Sequence, residues 1–101
     1  MYSVYKIEVN GVCLYIGHSK DLKRREYQHN YLYKKGAKKA LYDYLRECEY
    51  EGYIELIEIG RYKKKVEAKR YEMYLILQYL FIETDNPLFQ LKQKIANISD
   101  R

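Results

Sequence analysis

The sequence predicts an α+β domain in which a small three-stranded antiparallel sheet is flanked by helices, in the order β-β-α-α-β-α-α. Three observations carry this expectation. Residues 3–9 alternate and are rich in β-branched and aromatic types, and residues 12–17 follow across Asn10-Gly11, which is a hairpin signal. Residues 53–59 form a third strand-like run, stopped by Gly60. The segments between and after these runs carry apolar residues at helical spacing and close on glycine or proline.

Taken in order, Ser19 can cap a helix over residues 20–34, and Lys34-Lys35-Gly36 supplies a basic last turn and a glycine stop. A second helix fits residues 38–50, because Leu41, Tyr44, Leu45 and Cys48 share a face, with Gly52 closing it. After the third strand comes a basic connection over residues 61–65. The longest helix fits residues 65–83; its second half is apolar over most of its girth, so it is expected to be central and buried. Asp85-Asn86-Pro87 reads as a turn, and residues 88–98 as a last helix with Leu88, Leu91 and Ile95 inward.

Composition narrows the function. A chain of 101 residues is expected to form one domain spanning 1–101. With 48% hydrophobic and 33% charged residues it is no disordered tail. The longest apolar stretch, residues 73–82, contains Gln78 and falls short of the ~20 residues a membrane span needs. No basic segment leads into an apolar run at the N-terminus, so no secretion signal is expected. Cys13 and Cys48 make neither a disulfide framework nor a zinc site, which fits a cytoplasmic location. Gly-rich phosphate loops, G-x-S-x-G elbows, collagen, coiled-coil and repeat patterns are absent. The net charge of +5 favours an anionic partner such as nucleic acid. Fourteen residues are tyrosine, a side chain that packs, stacks on bases or carries a titrating hydroxyl.

The hairpin register decides whether Tyr5 and Tyr15 can act together, and Asn10-Gly11 is compatible with two solutions. A two-residue loop pairs Val9 with Val12 and Tyr5 with Ile16, which puts the tyrosines on opposite faces. A three-residue loop, Val9-Asn10-Gly11 with Gly11 left-handed, pairs Glu8 with Val12 and Tyr5 directly with Tyr15. Cys13, Tyr15 and Gly17 then join Ser3, Tyr5 and Ile7, while Leu14 joins Val4, Lys6, Val12 and Ile16.

Ser3-Val4-Tyr5, Tyr15-Ile16-Gly17 and Ser19-x-Asp21-Leu22-x-x-Arg25-x-x-x-His29 together resemble the opening of the GIY-YIG nuclease family. Glu67-Ala68-x-x-x-Glu72-x-x-x-Ile76 resembles the family's helix with its single glutamate, and Asn86-Pro87-Leu88-Phe89 its closing turn. The resemblance runs from Val4 to about Gln90 and favours the three-residue loop. It departs from the family at Ser3, where Gly is usual, and at Gln90, where Asn often stands; Asn86 is the alternative for that role. Lys38 lies about where some members carry a further His.

The resemblance implies a phosphodiester hydrolase using one divalent metal, Mg²⁺ or Mn²⁺, per active site. Tyr5 would be the general base, which demands nearby positive charge because a phenol titrates near ~10. Tyr15 would position the attacking water. Arg25 and His29, at i and i+4, project from one helix face; Arg25 presents a fork to phosphate or is a solvated surface charge, and His29 can donate to phosphate or exchange protons near neutral pH, or is a satisfied structural histidine. Glu72 stands among the apolar helical neighbours Ala68, Leu75, Ile76 and Tyr79, where a carboxylate needs a partner. A hydrated cation is one such partner; Lys69 or a lysine of the second helix is another. Gly17 would allow close approach of backbone and phosphate. Lys20, Lys23, Lys34 and Lys35 would track a nucleic-acid backbone, or simply face solvent. The expected partner is DNA, with RNA as an alternative and with a second copy or another protein supplying target choice. The competing readings are a catalytically silent nucleic-acid-binding module and a protein-interaction module on the same fold.

Overall fold

The computed structural model describes residues 1–9 and 11–80. Strands β1 (Tyr2–Val9) and β2 (Val12–Ser19) are followed by helices α1 (Leu22–Lys35) and α2 (Ala40–Glu47), then β3 (Leu56–Tyr62) and α3 (Lys65–Leu80). The strands pair antiparallel in the order β2-β1-β3. The architecture is thus the expected α+β one. The expected turn at residues 85–87 and helix at 88–98, with Asn86 and Gln90, lie outside the described residues.

The hairpin register differs from both simple alternatives. Val9 pairs with Val12 and Glu8 with Cys13, as a two-residue loop requires, and Gly11 takes the left-handed φ of 76°. The register then shifts, so that Ile7 pairs with Tyr15, Lys6 with Ile16 and Tyr5 with Gly17. The preferred direct pairing of Tyr5 with Tyr15 is therefore not formed. A bulge in β2 achieves the same-face result instead, because the extra residue Leu14 reverses the alternation beyond it. Leu14 packs with Tyr5, Ile7 and Tyr15, and Cys13 packs with Val4 and Ile16, the reverse of the expected faces.

Two cores follow from this alternation. One face of the sheet, with Tyr5, Ile7, Leu14 and Tyr15, packs against Leu41, Tyr42 and Leu45 of α2 and Leu22, Leu32 and Tyr33 of α1. The other, with Val4 and Ile16, packs against Ala68 and Ile76 of α3. The helix ends are set by local chemistry. Ser19 ends β2, and its Oγ accepts from the Asp21 N–H, so the α1 cap passes to Asp21, whose carboxylate accepts from the Arg24 N–H. Gly36, at φ 91°, closes α1 as expected.

Helix α2 is shorter than expected and turned by one residue. Tyr42 is fully buried, and Cys48 is an exposed C-cap. Helix α3 buries one stripe rather than its girth: Met73, Tyr74 and Leu77 each remain about half exposed.

Strand β3 starts and ends three residues later than expected, and Gly60 lies within it. The late start goes with a pair of α1 side chains that take up the backbone at Ile54 and Leu56. Asn30 Oδ1 accepts from the Ile54 N–H at 2.8 Å and its Nδ2 donates to the Ile54 carbonyl at 2.8 Å, while Glu26 accepts from the Leu56 N–H. These bonds satisfy a strand-like backbone without a neighbouring strand. Asn30→Ala should strand both buried Ile54 groups and cost about 2–4 kcal/mol in urea-induced unfolding. A loss below ~0.5 kcal/mol with an unchanged m-value would show that water replaces these bonds.

Candidate active site

Tyr5 on β1 is 1% exposed, and its ring stacks on Tyr15 of β2 with centroids 6.2 Å apart and planes 12° from parallel. The residue across the ladder from Tyr5 is Gly17. A Cβ there would lie 2.6 Å from the Tyr5 hydroxyl oxygen and 2.7 Å from Cζ, so this position must be glycine for the phenol to lie flat across the strand. The close approach that Gly17 allows is therefore to Tyr5.

Helix α1 packs its inner face on these rings. His29 meets Tyr5, Tyr15 and Tyr42 edge-on, at centroid distances of 5.9, 5.6 and 5.9 Å. Its Nε2 shares a 3.0 Å hydrogen bond with the Tyr5 hydroxyl and its Nδ1 a 2.8 Å hydrogen bond with the Tyr42 hydroxyl. Burial, then the charges of Arg25 and Lys39, push the imidazole down from 6.5 to about 4. His29 is therefore neutral at pH 7, with one nitrogen donating and the other accepting. This differs from the sequence expectation of a group titrating near neutrality against phosphate, because the fold puts the ring inside the core.

A cavity of about 400 Å³ opens where β2, α1 and α3 meet, lined by Tyr5, Tyr15, His18, Arg25, Lys69, Glu72 and Met73. Because β2 is the edge strand, groups from its two faces can line one cavity. Tyr5, Tyr15, Arg25 and Glu72, drawn from four separate elements, come together here; His29 stands behind Tyr5. Arg25 is exposed, so its guanidinium stays hydrated and accessible. Glu72 is 3% exposed on the α3 stripe with Ala68 and Ile76. Its Oε2 lies 3.2 Å from His18 Nδ1.

Among the described residues no three His, Cys, Asp or Glu side chains form a cluster able to cage a metal. One buried carboxylate beside open volume instead suits a Mg²⁺-like ion that keeps its waters and takes further oxygens from a phosphate. Glu72 would be the residue that holds it.

The remaining predicted residues stand apart. Lys20 and Lys23 line a different groove, shared with Ser3, Asp21, Glu58 and Arg61. Lys34 and Lys35 occupy the last turn of α1, with Lys35 Nζ 5.7 Å from the centre of the exposed Tyr31 ring. Lys38 lies in the exposed connection before α2, and its neighbour Lys39, the N-cap, is the one whose charge reaches His29.

Sequence reasoning missed three residues. His18 alternates with Ile16 and so faces α3, a signal that strand periodicity alone could have given. Tyr42 was hidden by the one-residue error in helix phase. Lys69 was considered only as a partner for Glu72, whereas it lines the cavity as well.

Two outcomes are expected. Gly17→Ala should displace the Tyr5 ring, cost about 1–3 kcal/mol in urea unfolding and shift the His29 Nε2 resonance in ¹⁵N NMR. An unshifted resonance would mean that the phenol has another resting place. Because folding weakens proton binding at His29, the unfolded chain holds the extra proton between about pH 4 and pH 6.5. The stability contributed by the neutral ring should be complete above pH 6.5 and fall by roughly 3 kcal/mol as the pH drops toward 4. His29→Gln should flatten that dependence; an unchanged profile would assign it to other groups.

Comparison with curated proteins and with solved structures gives no match. The model of a protein family does match: the GIY-YIG catalytic domain, over residues 1–86. That match covers most of the chain and contains every described residue of the cavity, and the protein belongs to the GIY-YIG family.

Proposed function

We propose that this nuclease-type domain is a divalent-metal-dependent DNA endonuclease that works at the cavity between β2, α1 and α3. The observation that carries the reading is the convergence of two phenols, a guanidinium and a buried carboxylate on one 400 Å³ space. That inventory matches the needs of phosphodiester hydrolysis: a proton acceptor for water, positive charge for the phosphate and an anchor for a cation.

Arg25 supplies the fixed positive charge. Its planar fork, exposed at the cavity, suits two phosphate oxygens. Glu72 anchors the cation, which when bound supplies charge stabilisation on the phosphate and acidifies water. Tyr15, stacked on Tyr5, orients the attacking water through its hydroxyl.

Tyr5 gives up its own hydroxyl proton to solvent through the cavity and then, as a phenolate, accepts the proton of the attacking water; the His29 network supports that charge. Burial and the charges of Arg25 and Lys39 push His29 down to about 4, which makes the imidazole a poor acceptor for the Tyr5 proton. His29 therefore does not serve as the proton sink. A phenolate can only accept hydrogen bonds, so when Tyr5 is ionised the neutral His29 must donate from Nε2. The Tyr42 hydroxyl then donates to Nδ1. This arrangement supports negative charge on Tyr5 without charging the ring.

Plasmid nicking tests the reading. The wild-type protein should nick supercoiled DNA with Mg²⁺ or Mn²⁺ and be silent in EDTA. Tyr5→Phe, Arg25→Ala and Glu72→Gln should each lower the single-turnover rate by roughly 10²–10³-fold. Salt-dependent DNA binding without cleavage under any metal would leave a silent binding module, and cleavage confined to RNA would reassign the substrate. Equal nicking by wild type and Glu72→Gln would reject the site.

A further inference from the structure

We propose that His18 is a positioning residue for Glu72, holding its carboxylate in the orientation that takes a divalent cation and so setting the cation affinity of the site. The proposal rests on the reading of Glu72 as the cation's anchor.

The geometry gives a direct contact, His18 Nδ1 to Glu72 Oε2 at 3.2 Å. Its direction is fixed by chemistry. An ionised carboxylate only accepts, so Nδ1–H donates whether or not the ring carries a second proton. The two partners also differ in freedom. His18 sits in a strand, its backbone paired with Val4, and its side chain has only two torsions. Glu72 has three torsions and stands one helical turn after Lys69, whose side chain lines the same cavity. An ion pair with Lys69 would turn the carboxylate toward an ammonium and away from a cation. The bond from His18, delivered by a different element, selects against that orientation. The His18 side chain is 21% exposed and that of Glu72 4%, so the bond lies where solvent competes weakly. Partners of this kind, placed behind a metal ligand, commonly change metal affinity by 10–100-fold.

The test is Mn²⁺ binding without nucleic acid, followed by the loss of the free Mn²⁺ EPR signal, on protein shown to be folded by thermal unfolding. His18→Ala should weaken binding by about 10–100-fold. His18→Asn, whose amide N–H can stand where Nδ1–H stands, should remain within about threefold of wild type. His18→Phe, which keeps a ring but loses the donor, should behave as His18→Ala, and it carries the test should the alanine variant not fold. Wild-type or tighter affinity in the donor-less variants would overturn the proposal, as would equal weakening in the asparagine variant. Glu72→Gln separates this failure from that of the parent reading: if that variant binds Mn²⁺ normally, Glu72 is not the anchor. If it loses Mn²⁺ while the His18 variants keep it, only the role of His18 falls.

Discussion

One extra residue in β2 organises the site. Carried straight on from Val9 and Val12, the ladder would set Tyr5 opposite Ile16 and send Tyr15 to the far face. The register shift at Leu14 changes each of these relations together. Tyr5 falls on a glycine and can lie flat; Tyr15 stacks beside it; His18 turns to α3. A bulge leaves a residue without a ladder partner, which costs pairing. Here the bulged residue is a leucine only 3% exposed, and burial of such a side chain is worth roughly 1.5–3 kcal/mol. The irregularity is thus held in place by the core it feeds.

The same register separates two kinds of polar group. Behind the tyrosines, His29 and Tyr42 form a buried network whose members are neutral and mutually satisfied. At the cavity, Arg25 remains exposed and Glu72 is buried with an imidazole against it. Burial suits the first group because neutral partners lose little on leaving water. It suits Glu72 only because a donor is supplied there. Of the two charged groups at the cavity, Arg25 is exposed and only Glu72 is buried, with His18 against it.

Much of the fold was legible because its determinants are local. Asn10-Gly11 announces the hairpin, and Gly36 ends α1 in the left-handed conformation that the glycine suggested. The triplets, the Arg25–His29 spacing and the Ala68–Glu72–Ile76 stripe pointed to the right family and to four of the residues that meet at the cavity. What was not legible depends on tertiary structure. No local pattern says that Asn30 will take up the backbone of Ile54 and Glu26 the N–H of Leu56, and with these bonds in place β3 starts three residues late. No local pattern distinguishes a tight loop with a bulge from a wider loop, since both keep Tyr5 and Tyr15 on one face. The sequence left His29 open between a satisfied structural histidine and a group exchanging protons near neutral pH; the three tyrosine rings that enclose it are brought together only by the tertiary fold.

The enclosure of His29 bears on why a tyrosine can serve here at all. The charges of Arg25 and Lys39 both oppose a proton on the imidazole. A positive potential with that effect also favours negative charge on the oxygen 3.0 Å away. Burial, by contrast, resists charge on either group. The two effects act together on the imidazole and against each other on the phenol. The ring is therefore locked neutral, while the phenol is left to respond to whatever further positive charge enters the cavity. A neutral imidazole can turn its N–H toward Tyr5 when the phenolate forms, and the Tyr42 hydroxyl can follow. In the proposed mechanism, proton acceptance at Tyr5 is in this way tied to the positive charge that a cation would bring, and the enclosed histidine is the support for that coupling.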